Sequence, residues 1–507
     1  RGACDEKGST GWYTRSYFGC IPWVAMHIRS SRRIGHAAFK FVAILAFALL
    51  HFRGIAQKQS NVWYFGVGAG LTFNTSPPSA IGGGQTYFPS PNLWNEGTSS
   101  ICDSSGALLC YSNGAVIWNA SHQMMPNGNG LMGHPSSTHA ALIVPRPGST
   151  RLFDLFTTDG SENDFANGLR HTVVDGCLNG GMGDVVSGSK NMLLHGYMAE
   201  KIAAVRHAND MDYWVVGHEM NTSIFHIYLL TANGITDSSS VAIGPSDMVG
   251  CGAQIVFSPD GGTLAYAVIG APGHMALYDF DRATGVLSNA RIWPNDASRM
   301  VWGLAFSPDG TKLYFTTSNY GSLRQLNLGA GSWTAIQFSE VTLGTLLPDL
   351  WKDLRLGPDG KIYVAHAQSS ALGVIQAPDV LGSGCQFTDN AVPVTGTCSF
   401  GLPNVVCAYE YTNSVVGCEG PQGIEEQVFD LRLHPNPTSG SLTLEWSSAS
   451  GEFELEVLDV NGRVLHHRNV RSVTNHSIDL ASFSAGLYTV HVHDGKGSMY
   501  RGRVMVQ

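Results

Sequence analysis

Nine histidines, His122, His134, His139, His171, His195, His207, His218, His226 and His274, fall within one stretch of the chain. Imidazole titrates near neutral pH and ligates metals, so acid–base or metal chemistry is the first possibility they raise. Their spacing gives no helical zinc motif: His218-Glu219 lacks the second histidine that such a helix supplies. Each is therefore expected to hydrogen-bond backbone or a neighbouring strand, and a metal site is left open. Ser136 and Ser137 lie near His134 and His139, the residue types of a hydrolase. Triad members usually come from separate loops, so neighbours on one loop are a poor candidate. Gly128-Asn-Gly-Leu-Met-Gly133 spells a dinucleotide fingerprint, but no strand precedes it and His-Pro follows where a helix should open. A P-loop and a Gly-x-Ser-x-Gly elbow are both missing. No catalytic residue and no cofactor is assigned.

Asp279, Asp281, Asp309 and Asp359 carry the oxygens that calcium prefers. Calcium needs six or more of them at one point, whereas these acids recur one per turn, so they are expected to form turns. Trp63, Trp118, Trp214, Trp302 and Trp351 have the faces to stack on a sugar. The alternation around them instead places most of them in the interior.

The elements that must position these residues repeat. Phe257-Ser-Pro-Asp-Gly261, Phe306-Ser-Pro-Asp-Gly310 and Leu356-Gly-Pro-Asp-Gly360 are each followed by a strand-like run such as Lys312-Leu-Tyr-Phe-Thr316. Proline presets φ, aspartate bonds its own backbone and glycine accepts positive φ, so each unit is strand, tight turn, strand. Leu313 and Phe315 alternate with Tyr314 and Thr316, as a strand requires. Weaker copies turn near residues 105, 148 and 210. A period of roughly 50 residues with four strands per unit is the signature of a β-propeller. Tyr278-Asp-Phe-Asp-Arg-Ala-Thr-Gly285 fits a turn between outer blade strands. The stretch 61–412 has room for seven blades, with six as the alternative. Asn61–Phe65 is expected to pair with a strand near Val405–Tyr411 and close the ring, removing its open edges.

Composition agrees. Charged residues make up 14% and the 60 glycines are many, as in an all-β chain rich in turns. A net charge of −9 without a dense basic run argues against nucleic acid as a partner. Near the start, Arg29, Arg32, Arg33 and Lys40 precede the apolar run Phe41–Leu50, and Gly54-Ile55-Ala56 offers small residues for cleavage. That order is a signal peptide over 26–56 with cleavage after Ala56. Residues 1–25 precede the first methionine, Met26, and are set aside as a non-native upstream segment. An exported chain can form disulfides, and Cys385 with Cys398 is the pair favoured by proximity.

Residues 413–427 have the composition of a linker, with Gly417, Gly420, Pro421 and Gly423. Beyond it come several short alternating strands, among them Leu442-Thr-Leu-Glu-Trp446 and Phe453-Glu-Leu-Glu-Val457, the pattern of a small immunoglobulin-like β-sandwich. Three motifs follow in order. Pro435-Asn436-Pro437-Thr-Ser-Gly440 comes first, then Asp459-Val-Asn-Gly462-Arg463, then Leu480-Ala-Ser-Phe-Ser-Ala-Gly486-Leu-Tyr488. The chain closes on Arg501-Gly-Arg-Val-Met-Val-Gln507. Residues 428–507 resemble the type A sorting domain of the type IX secretion system. The resemblance implies recognition by that machinery, passage through the outer membrane, removal of the domain and often anchoring at the cell surface.

The body resembles the propeller proteins that carry this tag, at Trp63-Tyr-Phe-Gly66, Val116-Ile-Trp-Asn119, Met125-Pro-Asn-Gly128, Pro135-Ser-Ser-Thr138, Glu200–His207 and Trp214-Val-Val-Gly-His218. That resemblance brings no catalytic residues. The expectation is a secreted or surface-displayed binding or adhesion protein of a Gram-negative type bacterium, with a surface glycan or protein as partner. It meets a membrane only through export or anchoring. A propeller-based metal-dependent hydrolase or lactonase is the alternative.

Overall fold

The computed structural model describes residues 58–86, 95–246, 252–270, 273–296, 299–345, 351–411, 428–446, 452–459, 463–471, 475–494 and 499–507. The upstream segment, the signal peptide with Ala56, the linker 413–427 and Gly462 lie outside them.

Six antiparallel sheets follow one another along the chain, each built from consecutive strands. Their first strands are Ser99–Cys102, Ala141–Pro145, Met198–Arg206, Ile255–Phe257, Val301–Phe306 and Trp351–Leu356. Every one of the six turns expected from sequence joins the first strand of a sheet to its second. The chemistry is as expected: Asp309 Oδ1 accepts from Ser307 Oγ (2.6 Å) and from the Thr311 amide (2.9 Å), and Gly310 sits at φ +69°. The Asp-Arg-Ala-Thr-Gly turn at 281–285 joins the third and fourth strands of its sheet.

The alternation has a meaning that a single sheet would not give it. Leu313 and Phe315 pack with Val301 and Leu304 in one core, whereas Tyr314 packs with Leu354 and Ile362 in the next. Each blade is thus buried on both faces, and Val301–Phe306 is buried at every position. The cores pass round the molecule in series. The last of them joins the sixth sheet, through Tyr363 and Leu372, to Trp63 and Phe65 of the three-stranded sheet Val62–Phe65, Ala69–Thr72 and Ser79–Ala80. The other face of that sheet, through Val62 and Tyr64, packs on Tyr111 and Trp118 of the first four-stranded sheet. Seven sheets therefore close a ring, and the fold is a seven-bladed β-propeller.

The ring closes differently from the sequence expectation. Among the described residues Val62–Phe65 pairs only with Ala69–Thr72, and no strand forms over Val405–Tyr411. Closure runs through two isolated bridges, Val67 with Thr397 and Thr98 with Pro403. The segment after residue 398 has left the blade by then and turned into the centre, which removes it from strand pairing.

The C-terminal sandwich has a five-stranded and a three-stranded sheet. Its core, including Leu442, Leu444, Trp446, Phe453, Leu455 and Val490, draws only on residues 431–506.

Candidate functional site

The first strands of neighbouring blades touch one another and enclose the centre of the ring. A propeller channel is where convergent chemistry would be built, so its contents decide much. Here the chain itself enters it. A cavity of ≈ 60 Å³ remains, lined by Ala203, Val256, Leu304 and Arg355 from four blades and by Asn404 and Tyr409 from the closing segment.

Side chains hold the closing segment in place. Asp353 Oδ2 accepts from the Leu402 amide at 2.7 Å, Asp353 Oδ1 accepts from Gln254 Nε2, and the Asp353 amide donates to Phe400 O at 3.1 Å. The Asn404 amide donates to Thr98 O (2.7 Å), its Nδ2 donates to Ile202 O (3.0 Å), and its carbonyl accepts from Ser99 Oγ (2.8 Å). Tyr409 Oη donates to Leu356 O, and Tyr411 Oη meets Ser60 Oγ. Gly401 crosses Glu96 so closely that a Cβ there would lie 1.3 Å from Glu96 O.

Charged groups lie behind this segment. Lys201 is fully buried, with Nζ donating to Gly252 O at 2.8 Å. Glu200 accepts from the Thr138 and Ser161 amides at 3.2 and 3.0 Å. Arg355 Nη2 stands 3.6 Å from Asp353 Oδ2, and its Nε and Nη2 make no hydrogen bond. Burial pushes the Asp353 carboxyl up, and Arg355, the Leu402 amide and Gln254 pull against that shift.

Two buried imidazoles face the same field. Burial first, and then Arg355 and Lys201, hold His139 well below the usual histidine range. Burial and then Lys201 do the same for His218, which packs on Phe225 and Tyr266. The folded state keeps both rings neutral while the unfolded chain takes up protons below about pH 6.5, so their contribution is complete above that pH and is lost as the pH falls. Together they are expected to cost about 2 kcal/mol between pH 6.5 and 5.5, approaching a limiting slope of about 2.7 kcal/mol per pH unit below that window. Urea melts at pH 7.5, 6.5 and 5.5 measure this, and His218→Phe should halve the slope.

Three other histidines have structural partners. His171 Nε2 meets Asp154 Oδ1 at 2.6 Å, His207 bonds Ala283 O at 3.1 Å, and His122 meets Tyr111 Oη at 3.2 Å. The serines disperse: Ser136 Oγ donates to Glu162 (2.6 Å), and Ser137 Oγ pairs with Thr158 Oγ1 (2.7 Å). Neither hydroxyl bonds a histidine ring, as a nucleophile's must; His134 Nδ1 accepts instead from the Ser136 amide at 3.3 Å. Trp63, Trp118, Trp214 and Trp302 are all buried.

The favoured disulfide does not form. Cys385 and Cys398 are both free and buried, and they lie in different cores: Cys385 beside Tyr314 and Ile375, Cys398 beside Trp63 and Leu402. The outer strand Phe387–Pro393 lies between them in sequence and carries them to opposite faces of the sixth blade. Burial pushes the Cys398 thiol up to about 12, so it is unreactive at neutral pH.

One cluster escaped the sequence motifs. His195 ends the strand Met192–His195, Glu219 ends Tyr213–Glu219, and His226 lies in Ile224–Thr231. Glu219 Oε2 is 3.0 Å from His226 Nε2 and 3.9 Å from His195 Nε2. The partner that His218-Glu219 lacks along a helix is supplied across strands, to Glu219 alone. Among the described residues, three such His/Glu triplets occur: this one, Glu456 with His491 and His493, and Glu454 with Glu456 and His467. The last two are in the C-terminal sandwich, and none is in the channel.

The sorting-motif residues have local tasks. Asn436 clasps the last strand, Nδ2 donating to Arg503 O (2.7 Å) and Oδ1 accepting from the Met505 amide (3.0 Å). Pro435 and Pro437 flank it, and Gly440 O accepts from the Leu480 amide at 2.9 Å. Asp459 and Arg463 close a turn through two bonds of 3.0 Å, Arg463 N to Asp459 Oδ1 and Asp459 N to Arg463 O. Tyr488, two residues after Gly486, donates to Ser484 O (2.7 Å) and packs edge-on against Phe483. The Asn436 bonds tie the start of the sandwich to its last strand, and the others fix turns within it.

Residues 432–507 match the family of secretion system C-terminal sorting domains. The chain therefore ends in a type IX sorting domain and is exported to the cell surface or the extracellular space. No curated protein matches the chain. Among solved structures it is similar to a periplasmic gluconolactonase of Pseudomonas aeruginosa, at 15% identity and TM-score 0.33 over 72% of this chain and 96% of that one. A 6-phosphogluconolactonase, so assigned, of Bacteroides fragilis gives 13% and 0.33 over 62% and 99%. A nidogen/laminin complex gives 15% and 0.34 over 57% and 94%. At these values the likenesses carry no argument about activity.

Proposed function

We propose that this protein works outside the cell as a binding or adhesion propeller, engaging a surface glycan or another surface protein through the loops and outer edges of its blades. One observation carries this reading: the chain's own segment from Phe400 to Tyr411 occupies the channel. Loops around a rigid ring remain for recognition, the usual place for it. Small-molecule sites measure roughly 300–1,000 Å³; the ≈ 60 Å³ left here has room for little beyond water. Exposed Leu193 and Tyr197 beside His195, and Met211 and Tyr320 on other turns, offer apolar contact outside the ring.

The alternative, a hydrolase or lactonase with its chemistry in the channel, draws on Arg355, whose Nε and Nη2 are buried without a hydrogen bond although Asp353 balances its charge, and on His139 Nε2, which is also buried without one. A glycan array and a lactone-hydrolysis assay on the purified protein separate the two. The binding reading expects retention on a defined set of glycans and no turnover. Turnover that Arg355→Ala abolishes would replace it with the enzyme.

A further inference from the structure

We propose that His195, Glu219 and His226 form a site for a divalent cation of the zinc class, built across the second and third blades of the propeller. The donor set is two imidazoles and one carboxylate, which zinc accepts with a fourth position left for water or a ligand oxygen. It goes beyond the binding reading and does not depend on it.

The geometry is close to what the ion needs. Bonds of 2.0–2.1 Å at tetrahedral angles put ligand atoms roughly 3.3 Å apart. Here Glu219 Oε2 stands 3.0 Å from His226 Nε2 and 3.9 Å from His195 Nε2, and all three donor atoms lie within 4.8 Å of one another. Small rotations at the side-chain ends complete the triangle. The two imidazole rings lie side by side, centroids 3.9 Å apart and planes inclined by 32°, so a modest rotation of each ring turns both Nε2 atoms toward Glu219.

The tautomer of His195 is set for coordination. Its Nδ1 lies 2.6 Å from Gly196 O, where it donates its proton, leaving the lone pair on Nε2 toward Glu219. A backbone carbonyl on the far nitrogen is the outer-shell partner that metal-bound histidines have. The frame beneath is rigid. Gly217 pairs with His226 and His218 with Phe225 in the third blade, while His195 pairs with Leu169 in the second. The three side chains are 35%, 24% and 13% exposed, so an ion can enter and the fourth position faces solvent. A bound ion would pin the extra edge strand Met192–His195 to the third blade and present an open coordination site on the outer surface, suited to a carboxylate or hydroxyl of a partner.

Zinc titration of the chelator-stripped full chain tests this, read by equilibrium dialysis with metal analysis and by the visible spectrum of the cobalt-substituted protein. His195→Ala, Glu219→Gln and His226→Ala are compared with His467→Ala and His491→Ala, which address the two triplets of the sandwich. The expected result is loss of one zinc equivalent, or at least a 100-fold weaker site, in each of the first three variants, with that equivalent intact in the other two. Such a loss exceeds the ~10–100-fold worth of an outer-shell partner. The cobalt protein should show tetrahedral bands that vanish in His195→Ala. His195 is the most exposed of the three and ends its strand, so this variant decides the matter if His226→Ala does not fold. Zinc stoichiometry and affinity unchanged in His195→Ala, absence of binding in the wild type, or loss only in the sandwich variants would each overturn the proposal.

Discussion

Cells expressing the chain without Val428–Gln507 are expected to show none of it at their surface, with the protein retained behind the outer membrane. The type IX machinery recognises the sorting domain, and here that domain has a hydrophobic core of its own. Its core draws only on residues 431–506, and none of the ring's cores includes a residue of that segment. Deletion therefore removes the address and leaves every inter-blade contact in place. Protease shaving and surface immunolabelling give the readout, and circular dichroism of the truncated chain checks that the ring persists. Display equal to that of the full chain would mean that the address lies elsewhere.

The largest stability effect is expected at Asp353. Its carboxylate faces the Leu402 amide, Gln254 and Arg355, and the residue is 2% exposed. Asp353→Ala leaves a buried guanidinium without its counter-charge and an amide of the closing segment without its acceptor. Removing one member of a buried pair costs roughly 3–5 kcal/mol. Asp353→Asn keeps an acceptor of the same shape and should lose less. Gly401→Ala strikes the same seam from the other side. Its Cβ would meet backbone at 1.3 Å, which no rotamer change relieves. Overpacking ordinarily costs about 1–3 kcal/mol, and this contact belongs at or beyond the upper end of that range. Chemical denaturation of the three variants measures both effects. A ring as stable as wild type in Asp353→Ala would mean that the segment is not anchored there.

What the sequence made legible was local. The three Pro-Asp-Gly turns announce themselves because three adjacent residues each solve one part of the turn, and they and the three weaker copies all fall between the first and second strands of a blade. The sorting motif is legible for the same reason: Asp459 with Arg463, and Tyr488 with Ser484, act within four residues. The path of residues 398–411 was not legible. It has no alternation, because its amides bond to Asp353 and Thr98, which only the closed ring brings near. The His195–Glu219–His226 cluster was hidden because its members meet through strand register rather than spacing, and a search for helical motifs passes over them. Cys385 and Cys398 show the converse. Thirteen residues apart in the chain, they are separated by the thickness of a blade.

The claim at the centre of this account is that the channel is closed by the chain itself, so that partners meet the outer face. Hydrogen exchange of the Leu402 and Asn404 amides tests it most directly, since these donate to Asp353 Oδ2 and Thr98 O, both at 2.7 Å. If the channel is closed, both amides exchange only with global opening of the ring, as slowly as those of the inner strands, and binding of a glycan leaves them unchanged. If instead they exchange as fast as a surface loop while the inner strands stay protected, the segment is a movable plug over an accessible channel, and the account is wrong.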